Sequence, residues 1–328
     1  MTASSTFGFI GLGVMGEPMC RHLVQKTKQK VLIHDINPEP VGRLVQAGAV
    51  DVGAISAVAE ADIVFISMPS GEHLKKICEM PGGLLELARA GQTIVDLSTS
   101  PLKLTRELAG AFAAKGADYA DAPVARTRAA AEAGTLAISV GAGAGVFARI
   151  EPLLRCFASE VTHCGDVGSG QVVKILNNMV VVGTVTALCE AAAIANSAGV
   201  STETLFDAFS KGSADSFALR NHGYKAVAAR EFPERVFSTD YMHKDMSYAL
   251  DMAKDAGIEA REAALGASLL TEASRAGFGA NYWPVIGGRA RATLPRDWRP
   301  GAAMVSMRGC STMPRIGWIS KRLRSASI

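Results

Sequence analysis

The sequence of 328 residues predicts an α/β fold in which a doubly wound parallel sheet is followed by an all-α domain, joined to it by one long helix. Two observations support this prediction. Up to about residue 163, short apolar runs alternate with helical stretches, and beyond that point only helical periodicity remains. Strands that alternate with helices are typical of parallel sheets covered on both faces. With 48% hydrophobic residues, the chain is long enough to form two domains.

Each predicted strand is a short apolar run that ends at or just before a glycine, a proline or an acidic residue. The predicted strands are 7–10, 30–35, 62–68, 92–96, 118–121 and 135–140. The helices predicted after the last strand are 169–198, 201–211, 241–256 and 262–276. Because the alternation has stopped by Gly165–Gly168, we predict domains at residues 1–166 and 167–288, followed by a tail at 289–328.

Charge is unevenly distributed along the chain. The net charge is +3, yet the tail from Arg289 onward holds nine Lys+Arg and one acidic residue, Asp297, which leaves 25 basic and 30 acidic groups before it. A basic tail can bind nucleic acid or an acidic membrane surface. The prolines and glycines of this tail interrupt any helical or strand periodicity. We therefore interpret it as a poorly ordered appendage and predict no nucleic-acid partner.

A glycine-rich turn follows the first predicted strand. Gly11-Leu12-Gly13-Val14-Met15-Gly16 has the spacing Gly-x-Gly-x-x-Gly and leads into a helical run. In this context the first glycine permits a tight turn, the second lets the backbone approach a pyrophosphate, and the third lets the helix pack on the strand. The helix N-terminus adds free N–H groups and a positive dipole end. These six residues are therefore predicted to bind a dinucleotide, as in a Rossmann domain.

The second predicted strand ends in Asp35, 24 residues after Gly11. A carboxylate near this spacing binds the ribose hydroxyls of NAD and repels the 2′-phosphate of NADP. No arginine follows in residues 36–38, so NAD (NADH) is predicted over NADP. The alternative is a loop aspartate that caps a helix beginning near Asn37-Pro38.

The long predicted helix begins with Gly168-Ser-Gly-Gln-Val-Val-Lys174-Ile-Leu-Asn177-Asn178. At 3.6 residues per turn, Lys174 and Asn178 lie on one face, with Asn177 close by. An ammonium and an amide one turn apart can hold a substrate hydroxyl, so Asn177 and Asn178 are predicted to bind substrate. Lys174 is the predicted proton donor and acceptor, because burial and neighbouring positive charge lower the pKa of a lysine toward neutrality. The alternative is an ordinary exposed lysine.

Further candidate residues lie at the ends of two other predicted strands, at Met68-Pro69 and at Ser98-Thr99. Ligands of open α/β sheets gather at the carboxyl ends of the strands. These residues are therefore predicted to line the site, with Ser98 in contact with substrate.

Cysteine and histidine spacing bears on metal binding and location. The six cysteines form no Cys-x-x-Cys pair and the six histidines show no ligand spacing, so reduced thiols and no metal are predicted. With no signal peptide, a cytoplasmic location is predicted. The apolar run 179–198 approaches membrane-spanning length, but it carries Glu190 and Asn196, which favours a buried helix.

These motifs together resemble the β-hydroxyacid dehydrogenase family, which includes 3-hydroxyisobutyrate dehydrogenase and tartronate semialdehyde reductase. The resemblance extends over residues 6–287, and its motifs are, in order, Gly11 to Met19, Asp96 to Thr99, Asp121 to Val124, Gly134 to Leu136, Gly168 to Asn178, and Lys244-Asp245. It implies an NAD(H)-dependent oxidoreductase that interconverts a small β-hydroxyacid and its semialdehyde, as a homodimer or homotetramer. It also implies individual roles: catalysis for Lys174, substrate binding for Asn178, cofactor contacts for Thr99 and Met68-Pro69, and a place near nicotinamide and substrate for Lys244.

One segment departs from the family pattern. Many members follow Asp-Ala-Pro-Val with Ser-Gly-Gly, whose backbone N–H groups hold a carboxylate, whereas this chain continues with Ala125-Arg126-Thr127-Arg128. A guanidinium and a hydroxyl suit a substrate anion, so Arg126 and Thr127 are predicted to bind one. The pair is similar to that of the 3-sulfolactaldehyde reductase subgroup, which leaves both a carboxylate and a sulfonate open. The alternative for Arg126 is a salt bridge with a surface acid.

Several functions stay open on sequence alone. A reductase of the γ-hydroxybutyrate or tartronate semialdehyde type would also use Arg126 as an anion clamp. A non-catalytic NAD-binding relative tends to lose the lysine, and imine reductases of the superfamily carry a different residue there. The presence of Lys174 therefore favours an enzyme whose substrate is a small anionic hydroxyacid or semialdehyde.

Overall fold

The computed structural model describes residues 5–234 and 236–289, so nearly all of the predicted tail lies outside the described residues. The strands are β1 (Phe7–Ile10), β2 (Val31–His34), β3 (Val50–Asp51), β4 (Ile63–Ile66), β5 (Thr93–Asp96), β6 (Asp118–Asp121), β7 (Val124–Ala125), β8 (Leu136–Gly141) and β9 (Ala158–Gly165). The first eight α-helices are α1 (Gly16–Thr27), α2 (Pro38–Gln46), α3 (Ile55–Val58), α4 (Gly71–Glu79), α5 (Leu84–Leu87), α6 (Leu102–Ala113), α7 (Arg128–Ala133) and α8 (Ala144–Leu154). The helical part that follows contains α9 (Ser169–Ser197), α10 (Thr202–Phe209), α11 (Thr239–Asp255) and α12 (Arg261–Ala273), with π-helical segments at Leu219–Ala228 and Ser274–Phe278 and a 3-10 helix at Trp283–Arg289.

The strands form one sheet in the order β3-β2-β1-β4-β5-β6-β8-β7, with β9 paired to β8. Strands β1 to β6 are parallel, and the order reverses between β1 and β4, as in a doubly wound sheet. The predicted fold class, a Rossmann-like α/β domain followed by a helical domain, is confirmed. The domain boundaries at 166 and 288 stay a prediction.

One edge of the sheet departs from the parallel arrangement of the other strands. Strand β8 runs antiparallel to β6 and to β7. Residues 122–135 connect β6 to β8 and contain β7 and the short helix α7, and antiparallel strands can be joined by connections shorter than a parallel crossover. Strand β9 was not predicted, because most of its residues are partly or fully exposed and show no apolar alternation.

Burial explains why the central strands are continuous apolar runs. All four positions of β1, β4 and β5 are buried, since helices cover both faces of the sheet. One apolar core lies between the sheet and α1, α2 and α8, and a second lies on the opposite face beneath α4 and α6. A third core surrounds Phe206 and Trp283 among the C-terminal helices.

Helix α9 extends for 29 residues from the sheet into the helical part. Its length and composition would allow it to cross a membrane. An 18-residue stretch of this helix has a mean hydropathy of 1.7, and 44% of that stretch is buried inside the protein. Core helices of soluble proteins meet the same criteria. Here the first turns of α9 pack on β8 and later turns pack on α11 and α12.

The start of α9 approaches the sheet closely at Gly170. A Cβ atom on Gly170 would lie 2.8 Å from the backbone oxygen of Asp121 and would collide with the carbonyl oxygen of Ser139. Glycine is therefore the residue that lets the helix begin against β6 and β8.

We expect Gly170→Ala to lower the free energy of unfolding by about 1–3 kcal/mol, because backbone atoms on both sides must move to admit the methyl group. Gly110→Ala in α6 is the matched control, since a Cβ there has no neighbour within 4 Å. The control should be unchanged or more stable by about 0.5–1 kcal/mol. Chemical denaturation of both variants checks this, and equal stabilities would contradict the close contact at Gly170.

Candidate active site

The glycine-rich turn between β1 and α1 has the geometry that its spacing predicts. Gly11 has φ of 89°, and a Cβ atom there would collide with the carbonyl oxygen of Ser67. A Cβ atom on Gly16 would collide with the carbonyl oxygen of Gly11, so the outer two glycines are required by packing within the protein. Gly13 is different, because a Cβ atom there would have no neighbour within 4 Å. Open space beside Gly13, at the start of a helix, fits a pyrophosphate group.

Asp35 lies just beyond β2 and faces this turn. Its Oδ2 atom accepts a hydrogen bond of 2.5 Å from the backbone N–H of Leu12, and its Oδ1 atom accepts one of 2.7 Å from that of Asn37. The N-cap of α2 is Asn37, whose side chain accepts from the N–H of Glu39. Asp35 is thus not the helix cap, and its carboxylate remains half-buried beside the turn.

Lys174 lies one turn before Asn178 on α9, as the helical spacing predicts. Its Nζ atom donates to Asn178 Oδ1 at 3.0 Å, and Asn177 Nδ2 donates to the same oxygen at 3.2 Å. The amide nitrogen of Asn178 donates to Asp245 Oδ2 at 2.6 Å. Asp245 therefore fixes the orientation of the Asn178 amide so that its oxygen faces Lys174.

Lys244 connects α11 to the loops after β4 and β5. Its Nζ atom donates to the carbonyl oxygens of Pro69 at 3.2 Å and of Thr99 at 3.3 Å. The same ammonium lies 3.2 Å from Asp245 Oδ1 and 4.1 Å from the ring centroid of Tyr241. Pro69, Thr99 and Lys244, all predicted to contact the cofactor, are brought together by these bonds.

The surroundings of Lys174 lower the pKa of its ammonium. Burial is the main cause, the nearby ammonium of Lys244 adds to it, and the carboxylate of Asp245 opposes it. Part of the side chain stays accessible, but protein atoms surround the ammonium, which lies 5.8 Å from the ring centroid of Phe237. A lysine in these surroundings can exchange a proton nearer to neutral pH than an exposed one.

Ser98 and two buried carboxyl groups lie in the polar layer beneath the site. Ser98 Oγ accepts a hydrogen bond of 2.8 Å from the backbone N–H of Met68, so the structure uses this hydroxyl to hold a neighbouring loop. Burial raises the pKa of Asp96 to about 7 and that of Asp121 to about 6. The substrate contact predicted for Ser98 stays a prediction.

Arg126 lies in the connection between β7 and α7 in a left-handed conformation, with φ of 82°. Its Nη1 atom donates to the carbonyl oxygen of Thr135 at 2.6 Å and to Ser159 Oγ at 2.8 Å. Both acceptors are neutral, so these bonds are not the surface salt bridge considered as the alternative. Thr127 is the N-cap of α7, where its hydroxyl accepts from the N–H of Ala130. The anion-binding roles of Arg126 and Thr127 stay predictions.

Two residues for which no role was predicted join this arrangement, Asp245 and Gln171. Asp245 directly follows Lys244, and Gln171 lies three residues before Lys174. Both are buried, with exposed fractions of 1% and 0%. Their nearness in sequence to Lys244 and Lys174 is the only signal by which they could have been found. Their hydrogen-bond partners, Asn178 for Asp245 and Ser98 and Ser100 for Gln171, come from distant segments. Among the described residues, no group of three or more His, Cys, Asp or Glu side chains is arranged to hold a metal ion.

Comparison with known proteins assigns the chain to a family. Residues 6–165 match the description "NAD binding domain of 6-phosphogluconate dehydrogenase", and residues 168–282 match "NAD-binding of NADP-dependent 3-hydroxyisobutyrate dehydrogenase". The 2-(hydroxymethyl)glutarate dehydrogenase of Eubacterium barkeri is 36% identical over 259 residues, which cover 79% of this chain and 85% of that protein. The chain belongs to the β-hydroxyacid dehydrogenase family.

Two further relatives agree with this assignment. The 2-hydroxy-3-oxopropionate reductase of Escherichia coli K12 is 35% identical over 75% of this chain and 84% of that protein. A solved structure of Mycobacterium tuberculosis 3-hydroxyisobutyrate dehydrogenase with L-serine superposes with a TM-score of 0.81 at 28% identity, over 88% of this chain and 99% of that one. The predicted class, an oxidoreductase of CH–OH groups with a dinucleotide-binding domain, is thereby confirmed.

The raised pKa of Asp96 predicts an unusual dependence of stability on pH. The ordinary pKa is 3.8 and the folded value is about 7, so between these values the folded state binds more protons than the unfolded state. Its contribution to stability is therefore present at low pH and is lost as pH rises through this window. Asp96→Asn introduces a neutral side chain of the same shape. We expect its free energy of unfolding to rise by about 2–3 kcal/mol relative to that of wild type as pH increases from 5 to 7. Urea titrations across this range measure the difference, and a constant difference would show that Asp96 is ionised when buried.

Proposed function

We propose that this chain interconverts a small β-hydroxyacid and its semialdehyde with NAD(H), and that Lys174 donates and accepts the proton. The observation that supports this most directly is the placement of Lys174. Its ammonium is buried, bonded to Asn178 and near a second lysine, beside the strand ends where the predicted cofactor loops converge. A lysine enclosed in this way suits general acid–base chemistry, unlike an exposed lysine that only keeps the surface soluble.

The residues present fit a bound dinucleotide. The backbone from Gly11 to Gly16 and the first turn of α1 would hold the pyrophosphate, and Asp35 would bind the adenosine ribose. Met68, Pro69, Thr99 and Lys244 would line the nicotinamide end. When bound, the nicotinamide ring supplies or accepts the hydride. We propose NAD rather than NADP, because the carboxylate of Asp35 would repel a 2′-phosphate at the end of β2.

The protein's own part of the reaction is to hold the substrate oxygen and move one proton. In reduction, the Lys174 ammonium donates a proton to the carbonyl oxygen; in oxidation, the neutral amine takes the proton from the hydroxyl. The amide of Asn178 keeps Lys174 in place, and its own orientation is set by Asp245. Asn177 and Asn178 would position the substrate hydroxyl, so that its oxygen is already aligned with Lys174 before the proton is transferred.

The substrate we propose is an aldehyde or alcohol of three or four carbons with a terminal anion. Relatives named for 2-hydroxy-3-oxopropionate and 3-hydroxyisobutyrate suggest a carboxylate of this size. Arg126 uses only Nη1 for its two bonds within the described residues, which leaves its other N–H groups for an anion. Carboxylates of this class include tartronate semialdehyde, which is 2-hydroxy-3-oxopropionate itself, and γ-hydroxybutyrate; the alternative anion is a sulfonate, as in a 3-sulfolactaldehyde reductase.

We further propose a cytoplasmic homodimer or homotetramer that has neither a membrane nor a nucleic-acid partner. Helix α9 presents apolar residues along one stripe of its exposed surface: Val173, Leu176, Val180 and Ile194. A second copy would remove this stripe from water, which stabilises association in proportion to the apolar area covered. A protein that binds NAD without catalysis is the remaining alternative, and the buried Lys174 argues against it.

We expect Lys174→Ala to reduce turnover by about 10²- to 10⁴-fold, the usual contribution of a general acid, while the Kd for NADH is unchanged. Lys103→Ala on α6 is the control, because Lys103 is exposed and pairs with Glu107 one turn away. Initial rates and fluorescence titration with NADH test the two quantities separately. Turnover within a few-fold of wild type would show that another group transfers the proton.

The second test is a set of initial rates with NADH and NADPH against succinic, methylmalonate and tartronate semialdehydes and 3-sulfolactaldehyde. We expect NADH to be preferred, and Arg126→Ala to raise KM for the best substrate by about 10- to 100-fold through loss of a charge-assisted hydrogen bond. Arg128→Ala, at the first residue of α7 and paired with Glu132, is the control. Equal KM values for the two variants would make Arg126 a structural residue, and no turnover of any aldehyde would favour the non-catalytic alternative.

A further inference from the structure

Gln171 forms a buried clasp between α9 and the segment that follows β5. Its side chain is fully buried, and its Nε2 atom donates to the carbonyl oxygen of Ser98 at 2.8 Å. Its Oε1 atom accepts from the backbone N–H of Ser100 at 3.1 Å. Both ends of one amide are thus bonded to the backbone of a single three-residue segment, which fixes the distance between that segment and the helix.

Both sides of this clasp carry residues of the proposed site. On α9, Lys174 follows Gln171 by three residues, slightly less than one turn. On the other side, Thr99 lies between the two bonded residues, and its carbonyl oxygen accepts from Lys244 at 3.3 Å. The clasp therefore connects the proton-transfer lysine to the loop that would hold the nicotinamide end of the cofactor.

We propose that Gln171 is a positioning residue for the reaction: its amide fixes the separation between Lys174 and the Ser98–Ser100 segment, and so between the proton donor and the hydride carrier. This proposal rests on the proposed function of Lys174. Hydride and proton transfer need the substrate carbon and oxygen to meet both groups at once. A displacement of about 1 Å between such groups reduces rates by as much as about 100-fold.

The chain offers a matched control in Gln92 at the start of β5. Gln92 is equally buried, and its Nε2 atom donates to the carbonyl oxygens of Ala59 at 2.7 Å and Ala61 at 2.8 Å. Replacing either glutamine by methionine removes two buried hydrogen bonds and retains the shape of the side chain. The Gln92 variant leaves two carbonyl oxygens unpaired, whereas the Gln171 variant leaves one carbonyl oxygen and one N–H unpaired. Gln92 lies at the end of the sheet away from the glycine-rich turn, so only Gln171 is beside the proposed site.

We expect both Gln171→Met and Gln92→Met to have lower Tm values, while only Gln171→Met loses about 10- to 100-fold in kcat, with the Kd for NADH retained. Rates are measured below both unfolding transitions, so that the folded fraction does not enter the comparison. Equal kcat for the two variants would overturn the proposal and assign Gln171 a purely structural role.

Gln171→Glu supplies a readout that a purely structural role would not change. A protonated carboxyl can donate to Ser98 and accept from Ser100 as the amide does, whereas a carboxylate cannot donate. The carboxyl groups of Asp96 and Asp121 share this buried layer and would favour the protonated form. We expect the kcat of this variant, relative to wild type at each pH, to recover as pH falls from 8 to 6, and a constant ratio would contradict the clasp. Retained turnover in Lys174→Ala would instead contradict the proposed function, so the two failures are distinguishable.

Discussion

The hydrogen bonds between the Asp121 carboxyl group and the start of α9 determine the geometry of the site. Asp121 ends β6, and its two oxygens accept from the N–H groups of Gly168 at 2.6 Å and Gln171 at 2.7 Å. These N–H groups have no partner within the helix, so a buried carboxyl group satisfies them and faces the positive end of the helix dipole. Because α9 begins at this position, Lys174 lies one turn above the strand ends, beside the loops from β4 and β5. The helix therefore places its lysine relative to the sheet through a bond at its first turn.

This arrangement places two carboxyl groups side by side in the protein interior. Asp96 and Asp121 are direct neighbours in the register of β5 and β6, and burial raises both pKa values. Hydrogen bonds oppose this effect at both groups: Asp121 accepts from N–H groups at the start of α9, and Asp96 accepts from the N–H of Ser98 and the hydroxyl of Ser100. Near neutral pH, both carboxyl groups therefore hold a proton more readily than exposed aspartates do.

The parts of the candidate site that are formed by one short segment could be predicted from the sequence. The glycine-rich turn, Asp35 after its strand, and Lys174 with Asn178 on one helical face each follow from spacing within a few residues. Contacts between distant segments could not be predicted in this way: Asp245 meets Asn178 across 67 residues. The conformation of Arg126 could not be predicted either, because its φ of 82° is rare for residues other than glycine. Its hydrogen-bond partner Ser159 lies on the distant strand β9. That strand carries no apolar alternation by which it could be recognised.

The charges of the site suit the two roles proposed for it, the binding of an anionic substrate and proton transfer. The ammonium groups of Lys174 and Lys244 both lie near the carboxylate of Asp245, so these three side chains together carry an excess of positive charge when both lysines are protonated. This charge would attract an anionic substrate, while the ammonium of Lys244 disfavours the protonated form of Lys174. Asp245 limits the second effect, because without it the pKa of Lys174 would fall further and less ammonium would be present to donate a proton. Asp245 would thus keep the lysine able to act in both directions of the proposed reaction, and its hydrogen bond to Asn178 also orients that amide.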